Sequence, residues 1–222
     1  LYVTETANGA GKVHRYELVS GSYASVTLQS GMNSPYHMAL TPGEDKLIVS
    51  EHHAHTVSYL TPLPIAQAAI VDSGLTYNHG IDITPSGKDL YVVELGTNRS
   101  LWNIDLNTSA KTAIRTLPSG ARTCVIGNEV IFVTERDSNR VTKVTLSSPY
   151  DYSVAVTGLT DPVSLTLNGQ KNILYVAESS VNQVRRVFLN AANQESNKEV
   201  AVTGISNPDA PALTKDGKIL FV

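Results

Sequence analysis

Leu90-Tyr91-Val92-Val93-Glu94 contains one of six copies of a short signature, the others being Leu1-Tyr2-Val3, Leu47-Ile48-Val49, Ile131-Phe132-Val133, Leu174-Tyr175-Val176 and Leu220-Phe221-Val222. The copies start 46, 43, 41, 43 and 46 residues apart. Between them lie short apolar runs, several alternating with period two, separated by turns rich in Gly, Pro, Asn, Asp and Ser, and no stretch carries apolar residues at helical spacing. A repeat of about 40 to 50 residues that holds four strands marks a propeller blade. The expected fold is all-β, a β-propeller of four-stranded antiparallel blades with essentially no helix. Residues 1–222 would supply five blades and part of another in a six-bladed ring, forming a single domain. Because the sequence opens and closes on the second strand of a blade, it reads as a piece of a longer chain.

The stretch from Asp161 to Ile205 displays the unit most clearly. After the Asp161-Pro162 turn, Val163, Leu165 and Leu167 alternate with Ser164 and Thr166, as an inner strand with one buried face requires. Residues 173–177 are an apolar run suited to a strand buried on both faces between neighbouring blades. Residues 184–189 and 199–202 complete the sheet. The same order places outer strands at 23–28, 66–71, 110–117, 152–156 and 198–202.

Composition narrows the function. Lys and Arg total 17 against 20 Asp and Glu, a formal charge of −3, which lacks the basic excess that phosphate-backbone binding needs, so no nucleic-acid partner is expected. The longest apolar runs are strand-length, far short of the roughly 20 residues of a membrane helix, so no transmembrane segment is expected. The lone Cys124 reads as a small buried hydrophobe. Two acceptor triplets, Asn98-Arg99-Ser100 and Asn107-Thr108-Ser109, together with low charge, point to an extracellular or cell-surface protein.

Thr84-Pro85-Ser86-Gly87-Lys88-Asp89-Leu90-Tyr91-Val92-Val93-Glu94 and Leu174-Tyr175-Val176-Ala177-Glu178 resemble the repeat of the NHL, YVTN and SMP-30/gluconolactonase-like propellers. The resemblance implies the propeller fold and several activities, since these proteins include lactonases, phosphotriesterases, lyases, adhesins and protein-binding modules. For the hydrolytic members it implies an axial calcium site of oxygen ligands at the starts of inner strands. The corresponding positions here fall on Tyr36, His79, Ala121, Val163 and Asp209, of which His79 and Asp209 alone carry coordinating groups.

Candidate residues separate into those that repeat and those that do not. Glu5, Glu51, Glu94, Glu135 and Glu178 each end a second strand, and a residue present in every blade is expected to serve every blade, accepting backbone N–H groups of an adjoining turn. The irregular residues cluster in His52-His53-Ala54-His55 and in His37, His79, Arg122 and Asp209, expected at the channel mouth. His53 and His55 with Glu51 form a candidate metal site, for zinc or, on the family resemblance, calcium elsewhere. Exposed tyrosines at 23, 59, 77, 150 and 152 could anchor a partner, while Trp102 would pack between blades. No Ser-His-Asp arrangement or phosphate-binding loop is present. The expected function is a non-enzymatic extracellular scaffold that binds a protein or glycan partner through one face, within a larger multi-domain chain or assembly. The alternatives are a metal-dependent lactonase, esterase or lyase using His79, Asp209 and a ring glutamate, and a lectin.

Overall fold

The computed structural model describes residues 1–19, 22–61, 68–96 and 99–222. Strands β1 (Tyr2–Glu5), β2 (Gly11–Val19) and β3 (Ser22–Met32) form a three-stranded sheet. Four sheets of four strands follow. They are β4 (Pro35–Leu40), β5 (Leu47–Glu51), β6 (Thr56–Leu60) and β7 (Ala68–Ser73); then β8 (Asn78–Ile83), β9 (Asp89–Glu94), β10 (Ser100–Asp105) and β11 (Lys111–Thr116). Next come β12 (Ala121–Ile126), β13 (Val130–Glu135), β14 (Arg140–Thr145) and β15 (Tyr152–Val156), and then β16 (Pro162–Leu167), β17 (Ile173–Glu178), β18 (Gln183–Leu189) and β19 (Glu195–Thr203). A short pair, β20 (Ala212–Leu213) and β21 (Leu220–Phe221), closes the described chain. Every pairing is antiparallel between consecutive strands, the meander of a β-propeller blade. Helix among the described residues is confined to the single 3₁₀ turns Arg136–Ser138 and Ser179–Val181.

The chain divides into two compact units, Leu1–Thr116 and Leu117–Val222. In the first, Ile48, Val57, Ile81, Leu90, Val92 and Ile104 pack the β4–β7 sheet against the β8–β11 sheet. Val13, Met32, Leu47, Val49 and Leu60 pack the first sheet against the second. In the second unit, Val130, Phe132, Val141, Leu165, Leu174, Val176 and Val187 do the same for its two large sheets. The repeated signature is thus explained: the second strand of a blade is covered on both faces, so it reads as a continuous apolar run, and all six residues of β13 are buried.

Outer strands were harder to bound from sequence. β3 runs from Ser22 to Met32, beyond the expected 23–28, since an exposed edge strand needs no apolar alternation to persist. β7 begins at Ala68, and residues 66 and 67 of the expected strand lie outside the described residues, as does Asn98 of the first acceptor triplet. Asn107 of the second is exposed in the turn after β10.

A feature of the inner strands positions the site. In each large sheet the pairing of first and second strands slips just inside its start, between Pro35 and Met38, Asn78 and Ile81, Ala121 and Cys124, and Pro162 and Ser164. Such bulges free one or two residues from the ladder and re-aim their side chains. The freed residues are Tyr36-His37, His79-Gly80, Arg122-Thr123 and Val163.

Candidate functional site

Pairing fixes the equivalence of the inner strands. Pro35 faces Glu51, Asn78 faces Glu94, Ala121 faces Glu135 and Pro162 faces Glu178. The position after each partner is therefore Tyr36, His79, Arg122 and Val163, so Arg122 rather than Ala121 is the equivalent in the fourth sheet. In the first unit two such residues meet: the Tyr36 and His79 rings lie 3.9 Å apart between centroids. His37 and His52 extend this contact, at 5.9 Å and 5.7 Å from His79 respectively. His52 also touches His53 at 4.9 Å and Tyr77 at 5.1 Å, and Tyr77 meets His55 at 5.0 Å. Seven rings thus form one connected group, containing five of the six histidines in the chain.

The backbone beneath is held by hydroxyl staples. Ser50 Oγ accepts the His37 N–H at 3.0 Å and donates to the His79 carbonyl at 2.7 Å. In the second unit Thr134 Oγ1 accepts the Thr123 N–H at 3.0 Å and lies 3.4 Å from the Val163 carbonyl. Each hydroxyl satisfies groups that the bulge removes from the ladder. The signal in sequence is a hydroxyl residue immediately before the glutamate of the second strand, legible only once the bulge is known.

Hydrogen bonding fixes the tautomers of three histidines. His55 Nδ1 accepts the Tyr77 N–H at 3.0 Å, so in the neutral ring the proton sits on Nε2. The equivalent bonds of the second unit come from asparagines: Asn139 Oδ1 accepts Asp161 N–H and Asn182 Oδ1 accepts Asn207 N–H, each at 2.8 Å. His52 Nδ1 donates to the Asn78 carbonyl at 3.1 Å. His53 Nδ1 lies 2.7 Å from Ser34 Oγ, whose own proton goes to Asn8 Oδ1, so His53 donates from Nδ1 and keeps Nε2 as an acceptor. His37 is enclosed by protein although part of its surface meets solvent, and loss of hydration lowers its pKa from 6.5 to about 4, so the ring is neutral at pH 7.

The ring glutamates are spent on the fold. Glu51 accepts Asn33 N–H at 3.0 Å, Glu94 accepts Thr76 N–H at 2.9 Å and Glu178 accepts Thr160 N–H at 2.6 Å, each reaching the turn that leads into its own sheet's inner strand. Glu94 also takes Thr76 Oγ1 and, at 2.6 Å, the indole N–H of Trp102. Glu135 binds Arg140, Thr142 and the Tyr152 hydroxyl instead. Glu5 is exposed and contacts Lys12 and His14.

The expected metal set does not converge. Glu51 is committed to Asn33, Thr56 and Ser58, His53 to Ser34 and His55 to Tyr77, and among the described residues no group of three His, Cys, Asp or Glu side chains is arranged to hold a metal ion. The donors present at this site therefore fit neither calcium nor zinc. Arg122 and Asp209 lie in the second unit. Asp209 is solvent-exposed, yet the protein around it raises its carboxyl above the ordinary value, with the Arg122 charge opposing the rise. Of the tyrosines expected to be exposed, Tyr23 and Tyr77 are; Tyr59, Tyr150 and Tyr152 are half-buried, with Tyr59 packed on the core under Lys46 and Tyr152 drawn in by Glu135. Cys124 is buried.

No protein-family model matches the sequence, and no curated protein matches it. Solved structures match in fold. A protein of unknown function from Desulfotomaculum acetoxidans is 16% identical, with a TM-score of 0.73 over 99% of this chain and 70% of that one. A nidogen/laminin complex gives 0.73 at 17% identity, over 89% of this chain and 74% of the other. An auxiliary nutrient binding protein from Bacteroides thetaiotaomicron gives 0.72 at 11% identity, over 99% of this chain and 63% of its own length. A candidate 6-phosphogluconolactonase from Bacteroides fragilis gives 0.67 at 15% identity, over 99% and 72%. At these identities the likeness is one of fold, and what this chain shares with them is the β-propeller.

Proposed function

We propose that this chain is a binding scaffold, a β-propeller domain that acts outside the cell or at its surface and holds a protein or glycan partner through the strand-entry end of its first unit. The observation that carries the reading is the connected group of Tyr36, His37, His52, His53, His55, Tyr77 and His79, which breaks the blade repeat where the bulges free side chains from the ladder. Aromatic rings with polar edges are the side chains most used to anchor partners. A binding role agrees with the nidogen/laminin complex and the nutrient binding protein among its fold neighbours. Hydrolysis has less support: Glu94 and Glu178 are engaged with turn N–H groups, and among the described residues no three His, Cys, Asp or Glu side chains converge.

The test is association of the immobilised full-length protein with panels of purified secreted proteins and of glycans, repeated with His53→Ala and Tyr77→Asn and with the outer-strand substitutions Tyr23→Ala and Val200→Ser. Affinity lost in the first pair and kept in the second is expected. Loss in the second pair alone would move binding to the blade edges and overturn the assignment. Turnover of a lactone or ester that His79→Gln abolishes would replace the scaffold reading by the hydrolase one.

A further inference from the structure

Tyr77 is the residue that the fold itself does not explain. Four strand-entry turns place a left-handed residue directly before the inner strand, Ser34 (φ 55°), Tyr77 (φ 53°), Gly120 (φ 77°) and Asp161 (φ 53°), and Asn207 (φ 51°) takes the same place in the turn ahead of β20. Glycine, asparagine and aspartate tolerate this conformation, and a bulky side chain is an outlier there. Tyr77 is also 45% exposed as a residue, so burial does not offset the backbone cost. Strain retained at an exposed aromatic points from the observed outlier to a surface task.

Its neighbours say what kind of molecule the surface suits. Beside the Tyr77 ring, His55 and His53 stand at centroid distances of 5.0 Å and 6.2 Å. Their Nδ1 atoms are engaged by Tyr77 N–H and Ser34 Oγ, and the tautomers that follow leave a donor at His55 Nε2–H and an acceptor at His53 Nε2. One donor and one acceptor at the edge of an exposed ring match hydroxyl groups, which both give and take hydrogen bonds. The ring glutamates of the two sheets that hold these residues are occupied, Glu51 by Asn33, Thr56 and Ser58 and Glu94 by Thr76 and Trp102. Cation–π pairs form elsewhere, by Lys46 on Tyr59, Lys111 on Trp102 and Arg186 on Phe188. The surface therefore offers an apolar face with one hydrogen-bond donor and one acceptor at its edge.

Deepening the scaffold reading and resting on it, we infer that Tyr77, His53 and His55 form a subsite for a neutral carbohydrate, the C–H face of one sugar ring lying on Tyr77 while its hydroxyls pair with the two imidazoles. The other rings of the group orient these three and touch the sugar less.

An array of neutral oligosaccharides, beside sialylated and sulfated ones, probed with the full-length protein tests this, followed by calorimetric titration of the strongest neutral binder. Tyr77→Asn places at this turn the residue that Asn207 already supplies, so it folds, and its thermal midpoint verifies that. The expected result is selective binding of neutral glycans, weakened at least about tenfold by Tyr77→Asn, as loss of one stacking contact of about 1.4 kcal/mol implies. His53→Phe, which keeps a ring and removes the acceptor, should weaken it about three- to tenfold. Preference for acidic glycans, or neutral binding indifferent to Tyr77→Asn, overturns the inference. If no glycan binds but a purified protein does, and the same substitutions abolish it, the carbohydrate subsite fails while the scaffold reading stands. If neither glycan nor protein binding depends on these residues, both fail.

Discussion

Ser50 shows how one hydroxyl can decide a site. Its oxygen accepts the His37 N–H and its proton goes to the His79 carbonyl, both groups left open by bulges, and the side chain is buried. Ser50→Ala strands them without water, so unfolding free energy in urea should fall by about 1–3 kcal/mol. Ser50→Thr should restore most of it, because Thr134 occupies the same place in the second unit. Equal losses in the two variants would show that packing, not hydrogen bonding, is what Ser50 contributes. Tyr77 presents the opposite balance at this scale. Left-handed backbone costs a residue with a Cβ about 1–2 kcal/mol, and asparagine recovers part of that. Tyr77→Asn should therefore leave the protein as stable as the wild type or up to about 1 kcal/mol more so. A clear loss of stability would mean that the ring is held for packing against His52 and His55.

Within an element, Glu51, Glu94 and Glu178, each ending a second strand, tie their blades to the turns that enter them. The recurrence of Glu5, Glu51, Glu94, Glu135 and Glu178 was visible in the sequence and reads there as a backbone clamp, but the repeat alone could not say which donors each carboxylate takes. Geometry separates them: Glu94 is buried and holds Thr76 N–H, Thr76 Oγ1 and Trp102 Nε1, whereas Glu5 is exposed and holds only side chains. Glu94→Ala leaves three half-buried donors without their acceptor and should cost about 1–3 kcal/mol, with a red shift of the Trp102 emission as the indole N–H turns to water. Glu5→Ala should leave the urea midpoint nearly unchanged, since its ion pairs stand in solvent. Similar losses at the two positions would contradict the clamp. Periodicity also missed the bulges, because a bulge keeps the alternating pattern on either side and reveals itself only by the partner it skips. For that reason Ala121 reads as the equivalent of Tyr36 in sequence, when pairing gives that place to Arg122.

Across the molecule, the blade repeat was legible because every blade must bury its second strand on both faces, a demand that writes the same apolar run at each return. The histidine group was legible as irregular residues expected at one channel mouth, but the contacts that join them were not. His37, His52 and His79 are separated by 15 and 27 positions, and their meeting depends on two sheets packing side by side and two bulges turning inward. That enclosure has a consequence for the stability of the chain as a whole. The unfolded His37 imidazole binds a proton near pH 6.5, and the folded one near pH 4, because desolvation penalises its charged form. Between these values the unfolded state holds more protons, so acid favours unfolding: the contribution of His37 is intact above pH 6.5, shrinks as pH falls, and stops changing below about 4. Solvent reaching part of the ring keeps the total loss to about 1–3 kcal/mol. Carboxylates also titrate towards the acid end, so the informative quantity is a difference. His37→Gln cannot take up a proton, and relative to the wild type it should gain stability as urea midpoints are followed from pH 7 to pH 4.5. Two curves that stay parallel through this range would show that His37 is hydrated in the folded chain and that the rings around it stand open to water.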